Sequence, residues 1–157
     1  MEGFTMRVVS IGFDPGMSGG MAVLIDGVMT AYAFESITEY NEILNNVLTF
    51  AKNEDYQIKA FVEELTGTTA GSFITPPASF KLGRNAGNIE GLLVALQIPF
   101  ENVRPQTWQK GLPNVKGTKG VDKKRLLKDI ACRRYPTTKP TLKTADAILI
   151  ADWGSKQ

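Results

Sequence analysis

The sequence contains no histidine and one cysteine, Cys132, in 157 residues. Without histidine there is no Ser-His-Asp triad and no Cys-His pair, and with one thiol there is no ordinary zinc site. A single cysteine forms no intrachain disulfide, which fits a reducing compartment. No stretch approaches the roughly 18 apolar residues of a membrane span. The N-terminus shows no basic region followed by an apolar block, so no secretory signal is expected and the expected location is the cytoplasm. Any metal held by this chain must be held by oxygen, which points to magnesium or manganese.

What is present is ordinary in bulk and uneven in placement. A hydrophobic content of 43% and a charged content of 22% are globular values, and the length predicts one domain over residues 1–157. The net charge is only +2, yet residues 101–143 hold twelve of the eighteen Lys/Arg against three acids, Glu101, Asp122 and Asp129. The first hundred residues are net acidic. The asymmetry suits a polyanion-binding region set against a separate acidic centre. A merely solvated basic helix explains the charge alone equally well.

The chain is organised around Val8–Gly20, an apolar strand over residues 6–14 that ends on Asp14 and turns through Pro15-Gly16. A second strand is expected over Gly19–Ile25 and a third over Val28–Glu35, joined at Asp26-Gly27 by a two-residue hairpin. Ser36-Ile37-Thr38-Glu39 reads as a capping box opening a helix to about Asn53. Ile58–Leu65 reads as a fourth strand, residues 66–78 as a long loop, and Ser79–Gln97 as a helix rich in small residues. The glycines in that helix cost stability and suggest close approach to another helix or a ligand. Ile98–Val103 is the fifth strand, and Pro105 starts a short helix through Trp108. Gly111–Gly120 is a basic loop, Asp122 is placed to cap a helix to about Tyr135, and a last helix runs from about Leu142 to Trp153. The order predicts an α/β fold: a mixed five-stranded sheet, opening with a three-stranded meander, flanked by helices on both faces.

Three acids interrupt apolar surroundings. Asp14 ends the first strand, Glu63 or Glu64 follows Ala60-Phe61-Val62, and Asp146 lies within Ala145–Ala151. A charge in such surroundings is unfavourable unless paired or metal-bound. With the first and fourth strands adjacent and the last helix packed over their ends, the three carboxylates meet. Two oxygen-bound magnesium ions about 4 Å apart would then activate a water and stabilise the leaving oxygen of a phosphodiester. Asp14 as a turn cap and Asp146 as a surface residue are the simpler alternatives.

The segments Ile11–Gly16, Phe61–Glu64, Ser79–Gly87, Val103–Lys110 and Ala145–Ala151, taken in order, resemble the RuvC-like Holliday junction resolvases. The likeness is strongest to the bacteriophage-type members, within the RNase H-like superfamily. It implies an RNase H-like nuclease domain and a homodimeric, magnesium-dependent endonuclease, with manganese as substitute and two ions per site. Such an enzyme nicks opposed strands of a four-way DNA junction, leaving 5′-phosphate and 3′-hydroxyl ends, in a bacterial or phage-infected cell. No small-molecule cofactor and no membrane is implied.

By position, the resemblance makes Asp14, Glu63 and Asp146 the catalytic, metal-binding acids and selects Glu63 over Glu64. It places the glycine-rich helix near the dimer interface and the preceding loop at the junction centre, where Phe73 would stack on an unpaired base. Lys81, Arg84, Arg104, Lys110, Lys116, Lys119, Lys123, Lys124 and Arg125 would track phosphates along the arms, with binding that weakens steeply with salt. Trp108 is expected to anchor its helix, and Lys128, Arg133 and Arg134 to form a solvated face.

One departure stands out. The family commonly carries a further acid or histidine one turn before the last aspartate, where this chain has Leu142-Lys143-Thr144. Lys143 and Glu64 are therefore candidate auxiliaries, Lys143 either touching the scissile phosphate or simply solvated. Asp152, about 240° around the helix from Asp146, is a poor substitute. The alternatives to a resolvase are a junction-binding protein with weakened catalysis and a related nuclease acting on structured RNA. The first loop also resembles that of actin-like sugar kinases, but those need two such domains and a longer chain.

Overall fold

The first three strands pair with their chain neighbours because their connections are too short for any other arrangement. In the computed structural model, which describes residue 3 and residues 5–65 and 74–157, β1 (Val8–Asp14) turns at Pro15–Gly19 into β2 (Gly20–Ile25). Asp26 and Gly27 take φ values of 49° and 79°, the left-handed pair a tight hairpin requires, and deliver β3 (Val28–Ala33). α1 (Ile37–Glu54) starts at Ser36, whose Oγ accepts the Glu39 N–H at 3.1 Å. β4 (Gln57–Glu63) then lies parallel to β1, and β5 (Phe100–Val103) parallel to β4. The sheet order is β3-β2-β1-β4-β5, with the first two pairings antiparallel and the last two parallel.

Three helix starts differ from expectation. α2 (Pro76–Ala95) begins before Ser79, because Thr75 caps it and the two prolines occupy the first turn, where a missing N–H costs nothing. α4 (Gly120–Arg134) begins before Asp122, which sits inside the first turn rather than at the cap. α5 (Ala145–Gly154) begins after Leu142, because Thr141 and Thr144 bond to each other in a separate turn. Between them lie α3 (Pro105–Trp108) and a single 3-10 turn at Pro136–Thr138.

Strand alternation divides the core in two. Val9, Ile11, Phe13, Met21, Val23, Ala60 and Val62 face α1 and α2, where Tyr40, Leu44, Ile89 and Leu93 cover them. Ala22, Leu24 and Phe61 face the other way, onto Trp108 of α3, Leu127 and Ile130 of α4, and Ala147, Ile148 and Ile150 of α5. Helices therefore flank both faces, as expected. Among the described residues, no helix is long and apolar enough to cross a membrane.

α5 sits directly on β1. Ser10 Oγ donates to the Ala151 carbonyl at 2.7 Å, and at Gly12 a Cβ would collide with the backbone of Ala147 and Ala151. Glycine at 12 is what lets the helix close on the strand, and this contact places the first turn of α5 over the end of β1.

Candidate active site

On β1, Ser10, Gly12 and Asp14 share the α5 face. On β4, Phe61 and Glu63 share it. The parallel register pairs Phe13 with Val62, so Asp14 and Glu63 are the next step on adjacent strands. Glu64, one residue on, turns away. Its carboxylate pairs with Arg104 at 3.2 Å. Asp146 enters from the first turn of α5. The structure thus brings Asp14, Glu63 and Asp146 to one mouth of the sheet and leaves Glu64 outside it.

Each acid is held by a local device. Gly16 N–H donates to Asp14 Oδ1 at 3.1 Å, and Gly19 N–H closes the turn onto the Gly16 carbonyl at 2.9 Å. A Cβ at Gly19 would strike the Asp14 backbone and carboxyl carbon. Asn85 Nδ2, buried on α2, donates to the Pro15 carbonyl at 2.7 Å, so α2 grips the same turn. Trp108 Nε1 donates to Glu63 Oε2 at 2.8 Å. Trp108 is buried, so it anchors α3 as expected and is closed to base stacking.

The electrostatics are those of acids crowded together. Burial pushes the Glu63 carboxyl up to about 8, reinforced by the charges of Asp14 and Asp146 against the Trp108 bond and Lys124. Burial likewise raises Asp14, with Asp146 adding to it. Asp146 Oδ1 is buried and, among the described residues, has no hydrogen-bond partner. Its Oδ2 accepts from Lys124 Nζ at 2.6 Å. Burial works against the lysine charge, but Asp146, Asp14 and Glu63 outweigh it and hold the ammonium above its ordinary range.

Lys124 is the residue whose place sequence reasoning missed. Expected along the phosphate track, it stands at the carboxylates. The signal was available: Lys124 lies three and seven residues before Leu127 and Ala131, which are buried on α4, so it continues their stripe toward the acids. Lys143 is exposed on the turn before α5, and no ion pair links it to the acids. Lys81, Arg84, Lys110, Lys116, Lys119 and Arg125 are exposed, Lys123 is half-buried, and exposed Arg104 is tied to Glu64. Arg134, expected on a solvated face, is exposed and also pairs with buried Asp152 at 2.7 Å. Phe73 lies outside the described residues.

Among the described residues, no three acids, histidines or cysteines form a ready-made metal cage. Three like charges with only one lysine between them repel, and magnesium commonly takes one or two carboxylates and keeps its waters. The donor set nevertheless fits a hard divalent ion. It is all oxygen, it offers three carboxyl groups to the one lysine that reaches them, and among the described residues Asp146 Oδ1 has no hydrogen-bond partner.

The backbone is similar to two solved structures of Thermus thermophilus RuvC. One, in complex with a Holliday junction substrate, matches at a TM-score of 0.57 and 17% identity over 96% of this chain and 93% of that one. The other matches at 0.55 and 18% over the same shares. No family model matches the chain, and no curated protein matches it in sequence. The likeness in structure establishes the fold as RuvC-like and RNase H-like, as the sequence motifs implied.

Proposed function

We propose that this chain is a divalent-metal-dependent endonuclease that resolves four-way DNA junctions as a homodimer. The observation that carries the reading is the convergence of Asp14, Glu63 and Asp146 from β1, β4 and α5 at one mouth. It occurs on a fold shared with a RuvC whose solved complex holds a Holliday junction substrate. Asp14, Glu63 and Asp146 would hold magnesium, whose chemistry when bound is to activate water and stabilise the leaving oxygen of a phosphodiester. The chain's own part is positional. The Gly16 amide and Asn85 fix the Asp14 turn, and Trp108 fixes the Glu63 carboxylate. Exposed Lys81, Arg84, Lys110, Lys116, Lys119 and Arg125, with Lys123 beside them, supply phosphate contacts that position DNA without reading its sequence.

The dimer reading rests on α2. Phe80, Gly83, Gly87, Gly91 and Val94 fall on one exposed stripe; Phe80 and Val94 are 70% and 66% exposed, and a Cβ at each glycine would meet nothing within 4 Å. Among the described residues nothing makes the close approach that these glycines suggest, so a second copy is the natural occupant of the face.

The test is cleavage of a labelled four-way junction, a linear duplex and a structured RNA, with and without magnesium. Junction-selective, magnesium-dependent nicking is expected, with Asp14→Asn binding the junction but not cutting it. Equal cutting of linear duplex, or preference for the RNA, overturns the resolvase reading. A second reading, junction binding without cleavage, is favoured by the Lys124–Asp146 ion pair, which already places a cation at the acids. Tight junction binding with no cleavage in magnesium or manganese selects it.

A further inference from the structure

We infer that Lys124 is an internal counter-cation that competes with the divalent metal for Asp146, making it a positioning residue that sets the metal concentration at which the site assembles. The inference rests on reading Asp14, Glu63 and Asp146 as the metal site.

The observations are geometric. Lys124 Nζ lies 2.6 Å from Asp146 Oδ2, the shortest of the ion pairs among the described residues. Asp146 is almost fully buried whereas half of the lysine side chain reaches solvent, so the carboxylate stays put and the lysine is free to swing out. The lysine also feels Asp14 and Glu63, and among the described residues no other cation is linked to the three acids. Lysine suits this role: its ammonium is a compact charge on a flexible stem, and it imposes no planar bidentate grip.

The three carboxylates therefore face two claimants for the same negative charge. Without metal, the ammonium offsets part of their repulsion. When a divalent ion arrives, the ammonium must leave Asp146 Oδ2 or be repelled where it stands. A unit positive charge a few ångström from a divalent ion, even screened as in bulk water, weakens its binding by about tenfold. The displaced ammonium stays tethered to α4 beside the mouth, where a DNA phosphate is the nearest replacement for its lost partner under the proposed function.

The experiment is calorimetric titration of the full chain with magnesium chloride alone, in the absence of DNA, for the unaltered protein, Lys124→Met and Lys124→Arg. Lys124→Met keeps the aliphatic stem and is expected to bind magnesium about tenfold more tightly while losing metal-free thermal stability. Lys124→Arg keeps the charge and can grip the carboxylate more firmly, so it is expected to bind magnesium no more tightly than the unaltered protein. A merely structural lysine would not raise affinity when removed. Unchanged or weaker binding by Lys124→Met overturns the inference, as does an equal gain for both variants. Absence of magnesium binding in all three proteins also overturns it.

Junction cleavage by the same proteins separates this from the nuclease reading. Cleavage by the unaltered protein with no change in magnesium affinity on substitution sinks the counter-cation and leaves the nuclease. Tighter magnesium binding by Lys124→Met in a protein that cuts nothing does the reverse.

Discussion

Helix α5 carries two buried aspartates six residues apart, and they have opposite surroundings. Asp152 is saturated. It pairs with Arg134 at 2.7 Å and Lys156 at 3.1 Å and accepts from the Tyr135 hydroxyl. Burial alone would raise its pKa, but the Tyr135 and Lys156 hydrogen bonds and the nearby cations hold it below the usual carboxylate range. Asp146 has one lysine, an oxygen with no partner, and two more acids as neighbours. A buried acid surrounded by donors contributes to the fold. A buried acid surrounded by acids is unfavourable unless a proton, a paired cation or a bound metal offsets its charge.

The sharpest way to break this comparison is to exchange the charge at each aspartate in turn. Asp146→Asn, like Asp14→Asn, is expected to lower junction cleavage by at least about 10³-fold, roughly 4 kcal/mol of barrier, while junction binding in a gel-shift assay is kept. Asp152→Asn is expected to leave cleavage within a few-fold of the unaltered protein. Its cost is in stability. Removing this carboxylate is expected to destabilise by about 2 kcal/mol in denaturant titration, less than for a fully enclosed pair because Arg134 and Lys156 reach solvent.

The two acid clusters also predict opposite pH responses in chelated, metal-free protein. Asp152 has a depressed folded pKa, so its stabilisation is complete above about pH 4 and is lost as pH falls through the folded value. Glu63 goes the other way. Its pKa rises from 4.5 to about 8, so the folded state keeps a proton that the unfolded state releases, and stability falls as pH rises across that window. Thermal melts of Asp152→Asn should lose part of the acid limb. Those of Glu63→Gln should lose the decline toward pH 8, and added magnesium should restore stability to the unaltered protein at that pH.

The smallest expected effect tests whether the site needs its turn held. Asn85→Leu removes the bond to the Pro15 carbonyl while filling a buried position between helix and sheet. A loss of about 1 kcal/mol in stability is expected. A drop of about tenfold in cleavage, with magnesium affinity lowered and junction affinity unchanged, would mark the residue as positioning Asp14 rather than merely packing α2.

Much of this was legible in the chain. Asp14 plainly ends an apolar strand; on the fourth strand a period of two puts Glu63 and Glu64 on opposite faces, but the residues left both open and only the family resemblance selected Glu63. Ser36 and the Asp26-Gly27 turn were equally plain, because a cap and a left-handed hairpin pair are local chemistry. The start of α2 was misplaced for a local reason as well. Residues 66–78 read as one long loop for want of periodicity, and only the Thr75 cap shows that the two prolines open the helix. Lys124 was harder. Its charge reads like that of its exposed neighbours, and its stripe matters only once α4 is known to lie on α5.

By itself, the sequence determined which elements form and what chemistry is available: strands that end on acids, a first helix capped by Ser36, and donors restricted to oxygen because histidine is absent. Those properties depend on residue type and spacing over a few positions. Which acids meet, and which cation meets them, was decided by tertiary structure. Gly12 lets α5 close on β1, the parallel register sets Glu63 beside Asp14, and the α4 stripe carries Lys124 to Asp146. Each of these contacts joins segments far apart in the chain. The physical reason is that packing and electrostatics act through space, where local periodicity has no reach.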